Sequence, residues 1–182
     1  QSLIFVGNYL HYPNVDAVLY FHQEIWPKAK AKIPGLKFVV VGQAPPPEIQ
    51  NMAQDASITV TGRVDDVTPY IRKGQIFICP VRLGGGFRGK ILEAMAVGRP
   101  IVSTSLGAEG IPSKSGANIM IADTPEDFAA SIEKLLKDRD LYERIRRAGR
   151  QLTEEKYAWA KGVEVLEGIL EDMIKTPPKR LL

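Results

Sequence analysis

The chain has 182 residues, of which 45% are apolar and 25% are charged, so its length and composition allow one globular domain with a buried core. The net charge of +3 is too small to indicate a nucleic-acid partner, and no basic run is interleaved with aromatic residues. The single cysteine, Cys79, excludes a disulfide framework and a cysteine-rich zinc site. No apolar segment has the length of a membrane span and no signal-peptide pattern is seen, so the sequence predicts a cytoplasmic protein.

Short apolar segments rich in β-branched residues alternate with helix-like segments along the chain. Six of them are predicted as strands: Leu3–Val6, Phe38–Val41, Ile58–Thr61, Ile76–Cys79, Ile101–Ser103 and Ile119–Ile121. Strands that alternate with helices indicate a parallel sheet, and near-continuous apolar strands need helices on both faces. The sequence therefore predicts a doubly wound, Rossmann-like α/β fold with an open parallel sheet of about six strands.

Helix signals fill the remaining segments. The first helix is predicted to end at Lys32–Gly35, and Thr124 followed by a proline predicts the cap of a later helix. Three helices are predicted after the last strand: Pro125–Lys137, Leu141–Glu155 and Trp159–Ile174. The last has an apolar stripe formed by Trp159, Val163, Leu166, Leu170 and Met173. Such stripes are normally buried, so we expect it to pack on the core, with contact to a missing domain as the alternative.

The domain organisation follows from these elements. Residues 1–175 are predicted to form a single domain, and residues 176–182 are predicted to be a flexible tail. Because the sequence opens directly on a predicted strand, we expect it to be a fragment of a longer protein.

The glycine-rich segment Gly84–Lys90 has the strongest functional signal in the sequence. It places Arg88 and Lys90 on the first turn of a predicted helix, where the helix dipole and the unpaired N–H groups disfavour cations. A phosphate or diphosphate bound at this turn makes the placement of the two cations favourable, because the glycine amides, the dipole and both cations then all interact with it. The segment therefore predicts an anion site.

Two common nucleotide motifs are excluded at this segment. The spacing Gly84-x-Gly86-x-x-Gly89 matches the dinucleotide fingerprint, but that fingerprint belongs to the first βαβ unit and needs an acidic residue at the end of the next strand. Here the next strand ends in Ser103–Ser105, which argues against NAD. The sequence also lacks the Gly-Lys-Ser/Thr of a phosphate-binding Walker loop.

Lys90 and Glu93 are expected on one side of the same helix, three residues and about 60° apart. An isolated pair of this kind is usually a surface ion pair worth about 0.5 kcal/mol or less. Because this pair follows four glycines and Arg88 at the carboxyl end of a parallel strand, we favour a shared ligand.

These residues resemble a known family. The segment Pro80–Pro100 resembles the donor-binding signature of family 4 glycosyltransferases of the GT-B fold: a Glu, then Gly-Phe-Gly, a second Glu eight positions after the first, and Ala-Met-Ala-x-Gly-x-Pro. Glu93 matches the second Glu, which implies contact with the ribose of the donor. Gly85 stands where the first, sugar-contacting Glu is expected. A branch of the family has a glycine-rich turn followed by Arg and Lys instead, and this sequence is similar to that branch.

The resemblance extends over nearly the whole chain. Gly7 and Asn8 match the turn after the opening strand, where many members have Gly-Arg and then a Lys that contacts the diphosphate; Arg88 and Lys90 are expected to replace those cations. In this fold the loop after the third strand commonly holds the base through main-chain groups, which implies a role for Arg63 and Val64.

The resemblance implies the C-terminal, nucleotide-sugar-binding half of a retaining glycosyltransferase, acting in bacterial cell-surface polysaccharide or glycoconjugate synthesis. Arg88 and Lys90, with the loop residues Gly84, Gly85, Gly86 and Phe87, would stabilise the departing nucleoside diphosphate. Such enzymes generally need no metal, so neither a metal nor another cofactor is expected. The acceptor would bind an N-terminal domain outside this sequence, which could also give peripheral membrane association, and the isolated chain should be inactive.

Two rival interpretations remain. A nucleotide-sugar epimerase of the same two-domain fold also stabilises a departing diphosphate, but it needs acid and base side chains that are scarce in these loops. A non-enzymatic doubly wound regulatory module is the other alternative. Receiver-type modules need an acidic cluster at the strand ends, and the corresponding ends here are glycine-rich and basic.

Overall fold

The computed structural model describes residues 1–175, which build one six-stranded sheet. The strands are β1 (Ser2–Val6), β2 (Lys37–Val41), β3 (Ile58–Val60), β4 (Ile76–Cys79), β5 (Ile101–Ser103) and β6 (Met120–Ile121). All neighbours are parallel and the spatial order is β3-β2-β1-β4-β5-β6. This confirms the predicted doubly wound, Rossmann-like α/β fold.

Eight α-helices surround this sheet in the described part of the chain: α1 (Tyr12–Tyr20), α2 (Trp26–Lys32), α3 (Pro47–Asn51), α4 (Thr68–Lys73), α5 (Gly89–Ala96), α6 (Pro125–Lys137), α7 (Arg139–Lys156) and α8 (Trp159–Lys175). Helix α2 packs against α6, and α5 packs against α7. Right-handed crossovers put the helices between β1 and β3 on one face of the sheet and those between β3 and β5 on the other. Both faces are therefore covered, and every residue of β4 and β5 is buried.

The first predicted helix is interrupted. A π-helical turn, Phe21–Ile25, separates α1 from α2. Pro27 is the second residue of α2, and because it has no N–H it cannot complete the regular i to i−4 pattern. The segment still ends as predicted, with Gly35 in the left-handed region at a φ of 78°.

The C-terminal helices confirm one expectation and overturn another. Thr124 caps α6, since its side chain accepts a hydrogen bond from the backbone N–H of Asp127. The expected burial of the α8 stripe is wrong, because no residue of α8 is buried. Trp159 is 92% exposed and Leu166 is 56% exposed, since nothing within residues 1–175 covers this face. The predicted tail, 176–182, lies outside the described residues.

The strand order reverses between β1 and β4, which are neighbours although α1 to α4 separate them in sequence. Open α/β sheets bind ligands at such a switch point, outside the carboxyl ends of the strands. The turn after β1 and the glycine-rich loop after β4 both begin there. Within the described residues, no helix combines the length and apolar character that crossing a membrane requires.

Candidate functional site

The loop after β4 leads into the first turn of α5. Residues 82–87 are all exposed, whereas Pro80 and Val81 before them are buried. Helix α5 begins at Gly89, and Arg88 is its N-cap without a side-chain capping hydrogen bond. The first turn contains no acidic residue. The predicted placement of Arg88 and Lys90 at a helix start is thus what the structure has, and no carboxylate neutralises that turn.

The loop needs glycine at two of its positions. Gly84 has a φ of 78° and Gly86 has a φ of 96°, a region that other L-residues occupy only at a cost of about 1–2 kcal/mol. Gly85 has no positive φ, and a Cβ added there or at Gly89 would meet no atom within 4 Å. The loop is therefore an open bend whose backbone is accessible to a ligand.

Lys90 extends from α5 to the seam between β1 and β4. Its Nζ donates a hydrogen bond to Oδ1 of Asn14 on α1 over 2.8 Å and lies 5.0 Å from the ring centroid of Phe5 on β1. The amide and the ring are both neutral. Among the described ion pairs, none includes Lys90, so its charge is not cancelled by a carboxylate.

Burial is the largest influence on Lys90 and lowers the pKa of its ammonium from the ordinary lysine value. The nearby Arg88 guanidinium also lowers this pKa, whereas Cys79 and Glu93 act in the opposite direction. A half-buried cation that lacks an acidic partner is costly in a structural role. The same arrangement favours binding of an anion.

Arg88 is turned back into the loop. Its guanidinium donates to the carbonyl oxygens of Gly84 over 3.1 Å, Gly85 over 3.2 Å and Leu83 over 3.4 Å. Its Nε is buried and has no acceptor within hydrogen-bond distance. Arg88 therefore braces the bend of the loop, and its contact with a diphosphate stays a prediction.

Glu93 is exposed on α5, one turn beyond Lys90. The two side chains form no ion pair in the described structure, because Lys90 bonds to Asn14 instead. Glu93 borders a cleft of about 540 Å³, lined also by residues of α5, α7, the connection after α7 and the start of α8: Leu92, Ala96, Thr153, Glu154, Tyr157, Ala158 and Trp159. Phe87 from the loop packs on the ring of Tyr157, with ring centroids 5.8 Å apart. The predicted contacts of Glu93 and Phe87 with a donor stay predictions.

The turn after β1 lies beside Lys90. The Gly7 N–H donates to the carbonyl of Val41 over 2.9 Å, and the Asn8 side chain accepts from the backbone N–H of Leu10 over 3.1 Å. The Asn8 carbonyl accepts from Nδ2 of Asn14 over 2.8 Å. Asn8 is thus connected to Lys90 through Asn14, and Gly7 precedes it in the same turn, as a site across this seam requires.

Arg63 and Val64 follow β3 at the same edge of the sheet. Arg63 is exposed and Val64 is half-buried. Because β2 and β1 lie between β3 and β4, this loop is about 14 Å from the glycine-rich loop at normal strand spacing. A diphosphate alone does not span that distance, whereas a nucleoside diphosphate does, so the predicted assignment to a base is geometrically consistent.

Sequence reasoning missed two residues that organise the site. Asn14 is the hydrogen-bond partner of Lys90. Asp16 accepts two hydrogen bonds from Arg82, over 2.7 and 3.2 Å, and the Arg82 guanidinium lies 4.0 Å from the ring centroid of Tyr20. Both contacts join α1 to the segment after β4, and only the strand order brings these elements together.

The described residues contain no group of three or more His, Cys, Asp and Glu side chains that could hold a metal ion. The expectation from the family resemblance, that the donor binds without a metal, stays a prediction.

Solved structures define the class of protein to which this fold belongs. HepE from Anabaena in complex with UDP-glucose matches with a TM-score of 0.73 at 17% identity, over 96% of this chain and 48% of that one. The C-terminal domain of LpcC, a glycosyl transferase group 1 family protein from Francisella tularensis, matches with a TM-score of 0.64 at 20% identity, over 86% of each chain. The chain has the fold of the C-terminal domain of GT-B glycosyltransferases.

Sequence comparison then gives the family. The family model described as Glycosyl transferases group 1 matches residues 1–138, and the chain belongs to that family. An uncharacterised 44.6 kDa protein in the cps region of Klebsiella pneumoniae is 28% identical over 139 residues, 72% of this chain and 36% of that protein. Phosphatidyl-myo-inositol mannosyltransferase of Mycolicibacterium smegmatis is 26% identical over 147 residues, 78% of this chain and 37% of that enzyme. The chain thus spans little more than a third of these relatives.

Proposed function

We propose that this chain is the nucleotide-diphospho-sugar donor-binding half of a retaining glycosyltransferase that acts in bacterial cell-surface polysaccharide or glycoconjugate synthesis. The observation that carries the proposal is the half-buried Lys90 ammonium at the β1–β4 switch point, held by a neutral amide 2.8 Å away. The unneutralised first turn of α5 adds N–H groups and the helix dipole at the same place.

The reaction needs a stabilised leaving group. When the bond between the sugar C1 and the diphosphate oxygen breaks, the electron pair stays on that oxygen and the sugar passes to the acceptor. Lys90 and the amides of Gly84–Gly86 would stabilise the negative charge that develops, which lowers the barrier. Arg88 would keep the loop in shape and add positive charge, and Glu93 would bind the ribose. No metal is required in this scheme.

The donor would lie along the carboxyl edge of the sheet. Its diphosphate would bind between Gly7–Asn8 and the start of α5, and its base would bind near Arg63 and Val64, about 14 Å away at normal strand spacing.

The partner of this half would be an acceptor-binding domain of the same full-length protein. Two observations support it: the chain covers 48% of HepE, and nothing among residues 1–175 covers the apolar face of α8. Residues 1–175 would form the donor domain and the acceptor would bind the other domain, so the chain alone should transfer no sugar.

Calorimetry with uridine, guanosine, adenosine and thymidine diphosphates tests the proposal. We expect one of them to bind and Lys90→Ala to weaken its binding at least about tenfold, which is about 1.4 kcal/mol. Lys73→Ala is the matched control, because Lys73 is an exposed lysine at the end of α4, beside the start of β1 and away from the switch point. No heat with any ligand at millimolar concentration, or equal binding by Lys90→Ala, would overturn the proposal.

A further inference from the structure

Asn14 is the single side chain that fixes Lys90 by hydrogen bonding in the described structure. The bond from Lys90 Nζ to Asn14 Oδ1 is 2.8 Å long and joins residues 76 positions apart in sequence. An ammonium has three N–H donors, so two remain for a ligand. The Phe5 ring, 5.0 Å from Nζ to its centroid, supports the cation on another side without using a donor.

The orientation of the Asn14 amide is determined by its other partner. Its Nδ2 donates to the carbonyl oxygen of Asn8 over 2.8 Å. Rotating the amide by half a turn would put its oxygen against that carbonyl and its NH₂ against the ammonium, and both contacts would then be repulsive. The backbone N–H of Asn14 is also bonded, to the carbonyl of His11 over 3.0 Å. The acceptor that faces Lys90 is therefore held in place from α1.

A neutral acceptor differs from a carboxylate at this position. A carboxylate would hold the ammonium more strongly, but it would also cancel the positive charge and compete with an incoming anion. An amide oxygen positions the ammonium and leaves its charge available. The other charged or titratable groups that influence Lys90 are Cys79 on β4, Arg88 at the start of α5 and Glu93 on α5.

We propose that Asn14 is a positioning residue for donor binding, whose amide oxygen holds the Lys90 ammonium at the β1–β4 seam without neutralising it. This rests on the proposed function of the site. Asn14 itself needs no contact with the donor, because it acts through Lys90.

Two substitutions of Asn14 test separately its hydrogen-bond acceptor and its lack of charge. Asn14→Leu keeps the branching at Cγ and removes the acceptor, and Asn14→Asp keeps an acceptor and adds a negative charge. Asn51→Asp is the matched control, since Asn51 is exposed at the end of α3. For each protein we would measure the affinity for the nucleoside diphosphate that the parent chain binds best, from neutral to alkaline pH, and the pKa of Lys90 by NMR without ligand.

The two variants should change these quantities in different ways. Asn14→Leu should lower the Lys90 pKa, so that affinity is lost at a lower pH than in the parent chain. Asn14→Asp should raise the Lys90 pKa and yet weaken binding at neutral pH about tenfold, because the charge is neutralised. Asn51→Asp should change neither quantity.

The outcomes distinguish this proposal from the proposed function. If the parent chain binds no nucleoside diphosphate, the proposed function fails, and the Lys90 titration in the free chain still decides whether Asn14 holds the ammonium. If the parent chain binds one but Asn14→Leu leaves both the Lys90 pKa and the pH profile of binding unchanged, Asn14 is not a positioning residue. Equal affinity of Asn14→Asp and the parent would overturn the requirement for a neutral acceptor.

Discussion

At the carboxyl edge of the sheet, the packed turns after β2 and β5 differ from the open loop after β4, and glycine has a different purpose in each. In the packed turns, a Cβ on Gly42 would lie 1.7 Å from the carbonyl oxygen of Gly7, and a Cβ on Gly107 would lie 2.6 Å from the carbonyl oxygen of Cys79. In the open loop, a Cβ on Gly85 or Gly86 would meet nothing within 4 Å. Glycine lets two backbones touch in the packed turns, whereas it lets the open loop bend.

Gly42→Ala should give the largest effect. Its added methyl would overlap a backbone oxygen that cannot move without displacing the turn after β1, and its φ of 141° is itself unfavourable for alanine. We expect the free energy of unfolding to fall by about 3 kcal/mol or more, as measured by urea denaturation. A loss below about 1 kcal/mol would mean that the Gly7 and Gly42 turns separate easily, and the distinction between the packed turns and the open loop would fail.

Gly107→Ala, in the packed turn after β5, should give a smaller loss of stability. The new Cβ would be 2.5 Å from the Ser103 hydroxyl and 2.6 Å from the Cys79 carbonyl. The hydroxyl can rotate but the carbonyl cannot, so we expect about 2 kcal/mol. Urea denaturation of Gly107→Ala and of the double variant Gly107→Ala/Ser103→Ala shows which contact dominates. If removing the hydroxyl restores full stability, the backbone contact is unimportant.

The pair Gly86→Ala and Gly85→Ala isolates the effect of backbone conformation in the open loop, because neither methyl meets a neighbour. Gly86 has a φ of 96° and Gly85 has no positive φ. We expect Gly86→Ala to lose about 1 kcal/mol and Gly85→Ala to stay within about 0.5 kcal/mol of the parent. Equal unfolding midpoints in thermal melts of the two variants would contradict the loop conformation.

Leu166→Ala on α8 should give the smallest effect, because Leu166 is 56% exposed and none of the described residues covers this face. We expect the unfolding free energy to change by less than about 0.5 kcal/mol. Ile145→Ala on α7 is the matched comparison, since Ile145 is completely buried and should lose about 2–4 kcal/mol. A loss above about 1 kcal/mol for Leu166→Ala would show that α8 is covered in the isolated chain.

The strands were predictable because their apolar runs are the core itself. Strands β4 and β5 have the predicted bounds, and each of the other four differs by one residue at one end: β1 begins at Ser2, β2 begins at Lys37, β3 ends at Val60 and β6 begins at Met120. Ser2 and Lys37 are polar, so an apolar run does not include them, although they pair with each other in the sheet.

The helices were less predictable where the outcome depended on more than local pattern. Both α7 and α8 have apolar residues that recur at helical spacing. In the described structure α7 buries Leu141 and Ile145, whereas no residue of α8 is buried. An apolar face indicates which side of a helix needs cover but not what provides it. The π-helical turn Phe21–Ile25 was also not predicted. Pro27 lacks an N–H, but this does not alter the spacing of the apolar residues from which the helix was predicted.

For the candidate site, the local features were predictable and the contacts across the seam were not. The glycines and the cations Arg88 and Lys90 are close in sequence, and the start of a helix can be predicted from the residues next to it. The contact of Lys90 with Asn14 joins segments 76 residues apart and exists only because β1 lies beside β4. Likewise, sequence gave no sign that Arg88 turns to the carbonyl groups of its own loop.

Cys79 gives this molecule a built-in reporter. It is the one cysteine of the sequence, it is completely inaccessible to solvent in β4, and burial raises the pKa of its thiol. A thiol reagent can therefore modify the chain only after the end of β4 has opened, so the labelling rate reports on that opening. Since Cys79 is close enough to influence the Lys90 ammonium, a ligand that occupies the seam should slow the labelling, and the dependence of the rate on ligand concentration would give its affinity.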